Sequence, residues 1–405
     1  MKKLNYIFST ASLMGVILIT ASLGSCKKKE KFSGNEIANA TQGFELITPF
    51  VPSVTNPNFR LNSSLRCEFS TEFNQRVSYK LKIKGIKSGA EKVFSGVGSK
   101  IENASWDGSS SNVYFFGGNA SDSVVAYLEI SGWDSVYTAE IDLQNPKNYH
   151  SNQTQDVIIR GIKHIVIDDF DASGGPEYSS VSTADPSSDQ LDSKTSFGLD
   201  SAIRVEGGTS YRFSGQDDND NGWSGGINSA NLVDFYMVSS EDALLIDSGI
   251  DPSKLYFNIF IYGAGQPNTS VQLKVYEQDY LYQIDQNDPN DIADNDTFNL
   301  KTRKAIMDYY GTDPEAPLHV YDQAANDGYI YNIEVTWTGW KRVSVPYSDF
   351  VPNNDPLTGG GGDRVKESWR ICGMAVSLLS FPATGAFTKT YVDFLTVTQG
   401  GVFQR

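Results

Sequence analysis

Leu255-Tyr-Phe-Asn-Ile-Phe-Ile-Tyr-Gly263 decides the fold class. Leu255, Phe257, Ile259 and Ile261 form an apolar set at alternate positions, while Tyr256, Asn258, Phe260 and Tyr262 take the other parity. This is the period of a strand with a core on one side. The same pattern recurs on either side. Val271, Leu273 and Val275 alternate with Gln272, Lys274 and Tyr276, and Val343 and Val345 alternate with Trp340, Arg342 and Ser344. Nearer the N-terminus, Val77, Tyr79, Leu81 and Ile83 alternate with Ser78, Lys80, Lys82 and Lys84. Leu65 to Phe69, Asn112 to Phe116, Val124 to Ile130, Val136 to Leu143 and Val157 to Ile167 read as further strands between turn residues. With 21 Tyr, 22 Phe, 6 Trp and 36 Gly in 405 residues, the chain reads as mostly β.

The first residues carry an address. Lys2 and Lys3 precede an apolar run from Ile7 to Leu23 that ends in Leu23-Gly24-Ser25-Cys26, the order of a signal peptide over residues 1–25. Leu-Gly-Ser-Cys resembles the bacterial lipobox, which implies cleavage before Cys26, acylation of that residue (palmitate among the chains) and anchoring without a spanning helix. Residues 26–42, opening Cys26-Lys-Lys-Lys-Glu-Lys, resemble the polar tether of Bacteroidetes-type lipoproteins and so imply the outer membrane. Surface-exported members often carry acids after the Cys. Here Lys27, Lys28 and Lys29 stand there, which leaves cell surface and periplasmic face both open.

Two domains follow. About seven short strands over 43–164 fit an immunoglobulin-like β-sandwich, and Trp106-Asp107-Gly108 resembles the Trp-Asp-Gly turn of bacterial Ig-like modules, with Trp106 as a structural corner. Over 165–405 the order of segments is similar to the galactose-binding-like β-jelly-roll sandwiches that include many carbohydrate-binding modules. Ile167-Asp-Asp-Phe-Asp171 looks like their opening strand, Ser201 to Val205 their second and Gly222-Trp-Ser-Gly-Gly226 a loop. Leu255 to Gly263 looks like the long central strand, Gly339-Trp-Lys-Arg-Val-Ser-Val-Pro-Tyr-Ser-Asp-Phe350 the recurrent Trp-Lys-x-Val-x-Val-Pro segment, and Tyr391 to Thr398 the closing strand. Two loop insertions interrupt it, Ala172 to Ser196 and Gln283 to about Asp327. The second holds a helix-forming run from Asn299 to Tyr310.

That resemblance implies a site. A glycan site pairs an aromatic platform with amides, carboxylates or Arg. The polar parities above supply Tyr256, Asn258, Tyr262, Gln272, Lys274, Tyr276, Trp340 and Arg342, expected on one sheet face, with Trp223 in a Gly-rich loop. In many such modules acids on the first and last strands hold structural calcium. Asp169 and Asp171, two apart in a strand, share a face, and Asp393 sits in the closing strand, so these three are the expected oxygen ligands. Asp217-Asp-Asn-Asp-Asn-Gly222 matches the first half of an EF-hand loop, but Asn228 stands where its Glu belongs, and it reads as an Asx-rich turn.

Charge and missing motifs narrow the function. The whole chain carries a net −16; loss of residues 1–25 removes two Lys and no acid, leaving 31 basic against 49 acidic side chains, or −18. Such a surface repels phosphate backbones, so nucleic acid is not expected as a partner. The three His (150, 164 and 319) lack metal-ligand spacing, no nucleophile elbow or phosphate loop is present, and Gly359-Gly-Gly-Gly362 is followed by Asp363-Arg364. The expectation is a noncatalytic lipid-anchored envelope protein that captures polysaccharide or oligosaccharide through its C-terminal jelly roll; the 49 acids, whose pairing is spatial, leave a glycoside-active enzyme open. The resemblance implies work beside an outer-membrane importer. The alternative is a structural or adhesion lipoprotein that binds a protein partner in an outer-membrane complex.

Overall fold

The computed structural model describes residues 42–117, 122–149, 157–171, 180–182, 196–216, 223–228, 246–247, 249–266, 269–277, 327–353, 364–368, 371–380 and 387–405. Cys26, the tether, the Asp217–Gly222 turn, the 299–310 helix and most of both insertions lie outside these residues. Among the described residues no helix is long and apolar enough to cross a membrane.

The first sandwich is built from β1 (Val51–Pro52), β2 (Cys67–Ser70), β3 (Glu72–Gly85), β4 (Glu91–Lys100), β5 (Ser105–Trp106), β6 (Asp122–Ile130) and β7 (Val136–Leu143). A four-stranded sheet in the order β4-β3-β6-β7 packs over a three-stranded sheet, β1-β2-β5. The alternation in β3 sets this up: Val77, Tyr79, Leu81 and Ile83 enter a core shared with Ala126, Leu128 and Trp106, and the intervening lysines remain outside. Asn112 to Phe116 is not a strand. Asn112 Oδ1 accepts from Glu91 N at 3.0 Å and its Nδ2 donates to Gly89 O at 3.0 Å, so a side chain takes backbone groups that a ladder would otherwise use. Phe116 turns into this core while Phe115 turns away from it.

Residues Val157 to Ile167, expected as one strand of that sandwich, break at Arg160 and Gly161, both at positive φ (53° and 79°). The break makes a hairpin of β8 (Val157–Ile159) and β9 (Ile162–Asp168). β9 crosses the expected boundary at 165 and pairs with the closing strand. The rest is β10 (Ser180–Ser182), β11 (Ser196–Asp200), β12 (Ser210–Gln216), β13 (Trp223–Asn228), β14 (Leu255–Ala264), β15 (Thr269–Glu277), β16 (Asp327–Glu334), β17 (Thr338–Pro346), β18 (Val351–Pro352), β19 (Ile371–Ser380) and β20 (Phe387–Gln399).

One sheet runs β11-β12-β20-β14-β17 with β9 and β8 attached; the other runs β10-β13-β19-β15-β16-β18. These two antiparallel sheets make a jelly-roll sandwich. Between them lie the alternate apolar residues of β14, β15 and β20, with Met374, Val376 and Leu378 of β19. Two expectations fail locally. Ser201 to Val205 is a loop, because Asp200 Oδ1 takes the Ala202 and Ile203 N–H groups (2.8 and 3.2 Å) in an Asx turn. The stretch expected as a Gly-rich loop instead runs as β13, paired with β19.

A third cluster joins the sandwiches. Phe115 stands 4.9 Å from Phe394 and 5.4 Å from Phe260, centroid to centroid, and Tyr149 stands 5.3 Å from Phe403. Phe115 N also donates to Val205 O at 2.9 Å.

Candidate functional site

The residues expected on one platform are divided between two sheets. β14 is bonded to β17 and β20, whereas β15 is bonded to β16 and β19. The short link from Ala264 to Thr269 therefore carries the chain from one sheet to the other. Tyr256, Asn258, Tyr262, Trp340 and Arg342 belong to the outer parity of the seven-stranded sheet. Gln272, Lys274 and Tyr276 belong to that of the six-stranded sheet, on the opposite side of the sandwich. Trp223 opens β13 in register with Leu379, and its side chain lies outside the described residues.

Much of the first face is used internally. Asn258 is fully buried. Its Nδ2 donates to Thr398 Oγ1 (3.0 Å) and Tyr256 O (3.2 Å), and its Oδ1 accepts from Phe403 N (3.1 Å). With its amide satisfied, Asn258 clamps the C-terminal segment and is not a ligand contact. Arg342 Nη1 likewise donates to Phe403 O at 2.8 Å. His164 is also buried: Gln404 N donates to its Nε2 at 3.0 Å, and burial lowers its pKa, so it is a neutral structural group. Trp340 and Tyr262 are half-buried and meet edge to face at 5.5 Å.

The second face is polar and exposed in part: Asn332 and Glu334 are exposed and Gln272 and Lys274 half-buried, but Ser270, Ser377 and Tyr276 are buried, so Tyr276 is not an open ligand contact. Gln272 and Asn332 lie opposite each other across β15 and β16, and Gln272 Nε2 donates to Asn332 Oδ1 at 2.9 Å. Ser377 is the partner of Gln272 on β19 and Ala375 that of Lys274. Short side chains thus flank the longer polar ones. The row runs into a cavity of about 640 Å³ lined by Trp337, Asn332, Glu334, Gln266 and Ser270. Trp337 is half-buried; its Nε1 donates to Ile261 O at 3.3 Å, and the Lys341 ammonium lies 4.7 Å from the ring centre. An indole fixed beside two amides, a carboxylate and a hydroxyl is the chemistry that holds a sugar, with C–H faces on the ring and hydroxyls on paired polar groups. Trp337, Asn332 and Glu334 were absent from the sequence-based set. Their signal was parity: Asn332 and Glu334 alternate with Tyr331 and Ile333.

A second cluster lies beside the first sheet. β9 ends at Asp168, and Phe170 at φ 58° turns the chain, so Asp169 and Asp171 sit in a turn rather than side by side on a strand. The turn still brings them together, and Glu206 joins them, with carboxylate oxygens of all three within 4.8 Å of one another. Asp171 Oδ1 accepts from Gly208 N (2.6 Å) and Thr209 N (2.9 Å). Gly207, at φ 52°, passes so close to Asp171 that a Cβ has no room. Asp393 is buried beneath, and its Oδ2 accepts from Val205 N (2.7 Å) and Glu206 N (3.2 Å). Burial, then the charges of Asp171, Asp393 and Asp169, pushes the Glu206 carboxyl well above the usual range. Burial also raises Asp393, against the pull of its backbone donors. Glu206 Oε2 and Asp393 Oδ1 are buried with no hydrogen-bond partner. Such orphaned acceptors among like charges fit a group that accepts a cation, so the cluster could hold a metal ion. Glu206 was missed because its place in a loop gave no parity signal.

No protein-family model matches the chain, and no curated protein matches it. Among solved structures, the family 11 carbohydrate-binding module from Clostridium thermocellum in complex with a β-1,3-1,4-mixed-linked tetrasaccharide is 12% identical, over 60% of this chain and 98% of the module, at a TM-score of 0.32. The CBM22-1–GH10 modules of the Clostridium thermocellum N-terminal endo-1,4-β-D-xylanase 10B, complexed with xylohexaose, are 11% identical over 56% of this chain and 29% of theirs, at 0.24. The glycoside hydrolase domain of Endo-D from Streptococcus pneumoniae R6 is 10% identical over 51% of this chain and 20% of its own, also at 0.24. At such scores the function rests on this chain's own residues.

Proposed function

We propose that this protein is a noncatalytic glycan-binding lipoprotein whose jelly roll captures polysaccharide on the outer face of its six-stranded sheet. The observation that carries this reading is the cavity of about 640 Å³ where Trp337 stands among Asn332, Glu334, Gln266 and Ser270. The Gln272–Asn332 row extends it along the sheet. A chain bound along this face makes several weak contacts, and their combined effect retains it near an importer or an enzyme in the same membrane. Probing a glycan array with the full chain tests this. Signal on one class of neutral polysaccharide is expected; no signal on any neutral glycan would contradict it.

The acidic cluster is read as a structural calcium site. Its donors are all hard oxygens, which suit calcium over softer metals. Asp169, Asp171 and Glu206 would hold the ion, with Asp393 supporting the loop from below. A bound ion would supply positive charge among these carboxylates and reinforce the tie that Asp171 makes between the 201–209 loop and the end of β9.

The likeness of Leu-Gly-Ser-Cys at Cys26 to the lipobox supports a lipid anchor, and the likeness of residues 26–42 to a lipoprotein tether supports the outer membrane, with the protein facing either the cell surface or the periplasm. Cys26→Ser is expected to abolish acyl labelling and to release the protein from membranes. Continued labelling with palmitate would overturn the anchor.

A further inference from the structure

The cleft between the two sandwiches carries a charge opposite to that of the molecule. A cavity of about 530 Å³ there is lined by Lys92, Arg160, Arg342 and Arg405, with Trp340 and Ser110 in its wall. The chain as a whole is at −16, so four cations around one hollow are not an average sample of its surface. Lys341 also borders the cavity, but its ammonium lies over the Trp337 ring.

Arg405 comes from the end of the second sandwich and reaches into the first. Its Nη1 donates to Ser110 Oγ at 3.1 Å and its Nη2 to Val113 O at 2.9 Å, and the guanidinium lies 5.0 Å from the Phe115 ring centre and 5.3 Å from that of Phe260. Its Nε is buried with no hydrogen-bond partner. Burial lowers the guanidinium to about 10, with Tyr149 opposing the shift and Arg342 adding to it. Among the described residues no carboxylate forms an ion pair with Arg342, Arg405, Arg160 or Lys92. The acid nearest in effect to Lys92 is Asp107, which is already paired with Lys147 at 3.2 Å. Cations gathered around one open hollow raise the positive potential that an anion meets there.

We infer that this cleft is a binding site for an oxyanion carried on a saccharide, a sulfate ester or a uronate carboxylate. Trp340 beside the cations favours a sugar ring over a free anion. The guanidinium groups suit the planar or forked oxygens of such groups. This site is separate from the neutral-glycan face on the other side of the sandwich, and it pairs residues of both sandwiches, so occupation stiffens their junction.

Calorimetry on the full chain tests the inference. The probes are a κ-carrageenan tetrasaccharide, tetragalacturonate, the desulfated tetrasaccharide as neutral match, and inorganic sulfate. At least one charged oligosaccharide is expected to bind, at least about tenfold tighter than the neutral match or sulfate, and to weaken as salt rises. Arg160→Gln, at an exposed turn, and Arg342→Gln are each expected to weaken binding about tenfold, the loss of one charge-assisted hydrogen bond. Trp337→Ala is expected to leave it unchanged. Arg342 also holds the C-terminal segment, so Arg160→Gln with an unchanged Tm is the deciding variant. The inference is overturned if neither charged oligosaccharide binds, if the neutral match binds equally well, or if Arg160→Gln keeps full affinity. Sulfate binding as tightly as the saccharides would overturn the assignment to a sugar. Loss of binding in Trp337→Ala would place the ligand on the other face.

Discussion

Adding calcium to chelator-treated protein is expected to raise the melting temperature of the second sandwich, and by more at neutral pH than in mild acid. At about a hundredfold excess over Kd the gain is about 2.7 kcal/mol, or roughly 5–10 °C for a sandwich of this size. The pH dependence follows from the cluster itself. Glu206 and Asp393 are raised above their ordinary values in the fold. Without a cation the folded state therefore keeps protons that the unfolded chain has released, and its stability falls as pH rises above about 4 through the raised folded values. Calcium binds the deprotonated cluster and removes that penalty, so its effect is larger at about pH 7.5 than at about pH 5. Glu206→Gln is expected to reduce the gain. Equal melting temperatures with calcium and with chelator at neutral pH would remove the ion from the account.

Trp106→Ala is expected to cost about 3–5 kcal/mol, at least a fifth of the stability of any ordinary domain. Trp106 is fully buried in the first sandwich, edge-on to Phe59 at 5.0 Å and Phe116 at 4.8 Å, and its Nε1 donates to Ser109 O at 3.1 Å. Truncation leaves a cavity, removes both ring contacts and strands that carbonyl. Gly108, at φ 83°, lies against Phe59, so the turn cannot move inward to fill the space. Phe115, next to Phe116, holds the aromatic cluster at the junction, and Val113 O accepts from Arg405. Chemical denaturation measures this. A loss under about 1 kcal/mol would show that Trp106 does not anchor the corner.

What the sequence revealed divides along a physical line. Alternation depends only on local backbone geometry, so β3, β14, β15 and the closing strand were legible, as was the corner at Trp106. Parity names two faces of a strand but not the sheet that the strand joins. Pairing is long-range, and it set β14 beside β17 and β20 while β15 went to the opposite sheet. One expected platform thereby became two surfaces. Asn258 shows the limit for a single residue. An amide on the polar parity suggests a ligand contact, yet Phe403, 145 positions away, takes its oxygen. The breaks at Arg160–Gly161 and at Asp200–Ile203 were hidden for a related reason, since local side-chain bonds and left-handed backbone override apolar runs. The acidic turn was legible in part: Asp169 and Asp171 are close in sequence, and Glu206 reaches them only through the folded loop.

The central claim is that glycan binds the outer face of the six-stranded sheet. Calorimetry with the neutral glycan that the array identifies, on the unaltered chain, Trp337→Ala and Trp340→Ala, tests it most directly. A sugar stacked on Trp337 buries aromatic area worth about 1–2 kcal/mol, about tenfold in affinity. Trp337→Ala is therefore expected to weaken binding about tenfold, with some loss of melting temperature because the half-buried ring also packs on the core and bonds Ile261 O, while Trp340→Ala, on the opposite sheet, binds this uncharged glycan as the unaltered chain does. Normal binding by Trp337→Ala together with loss in Trp340→Ala would contradict the account and move the site to the other face.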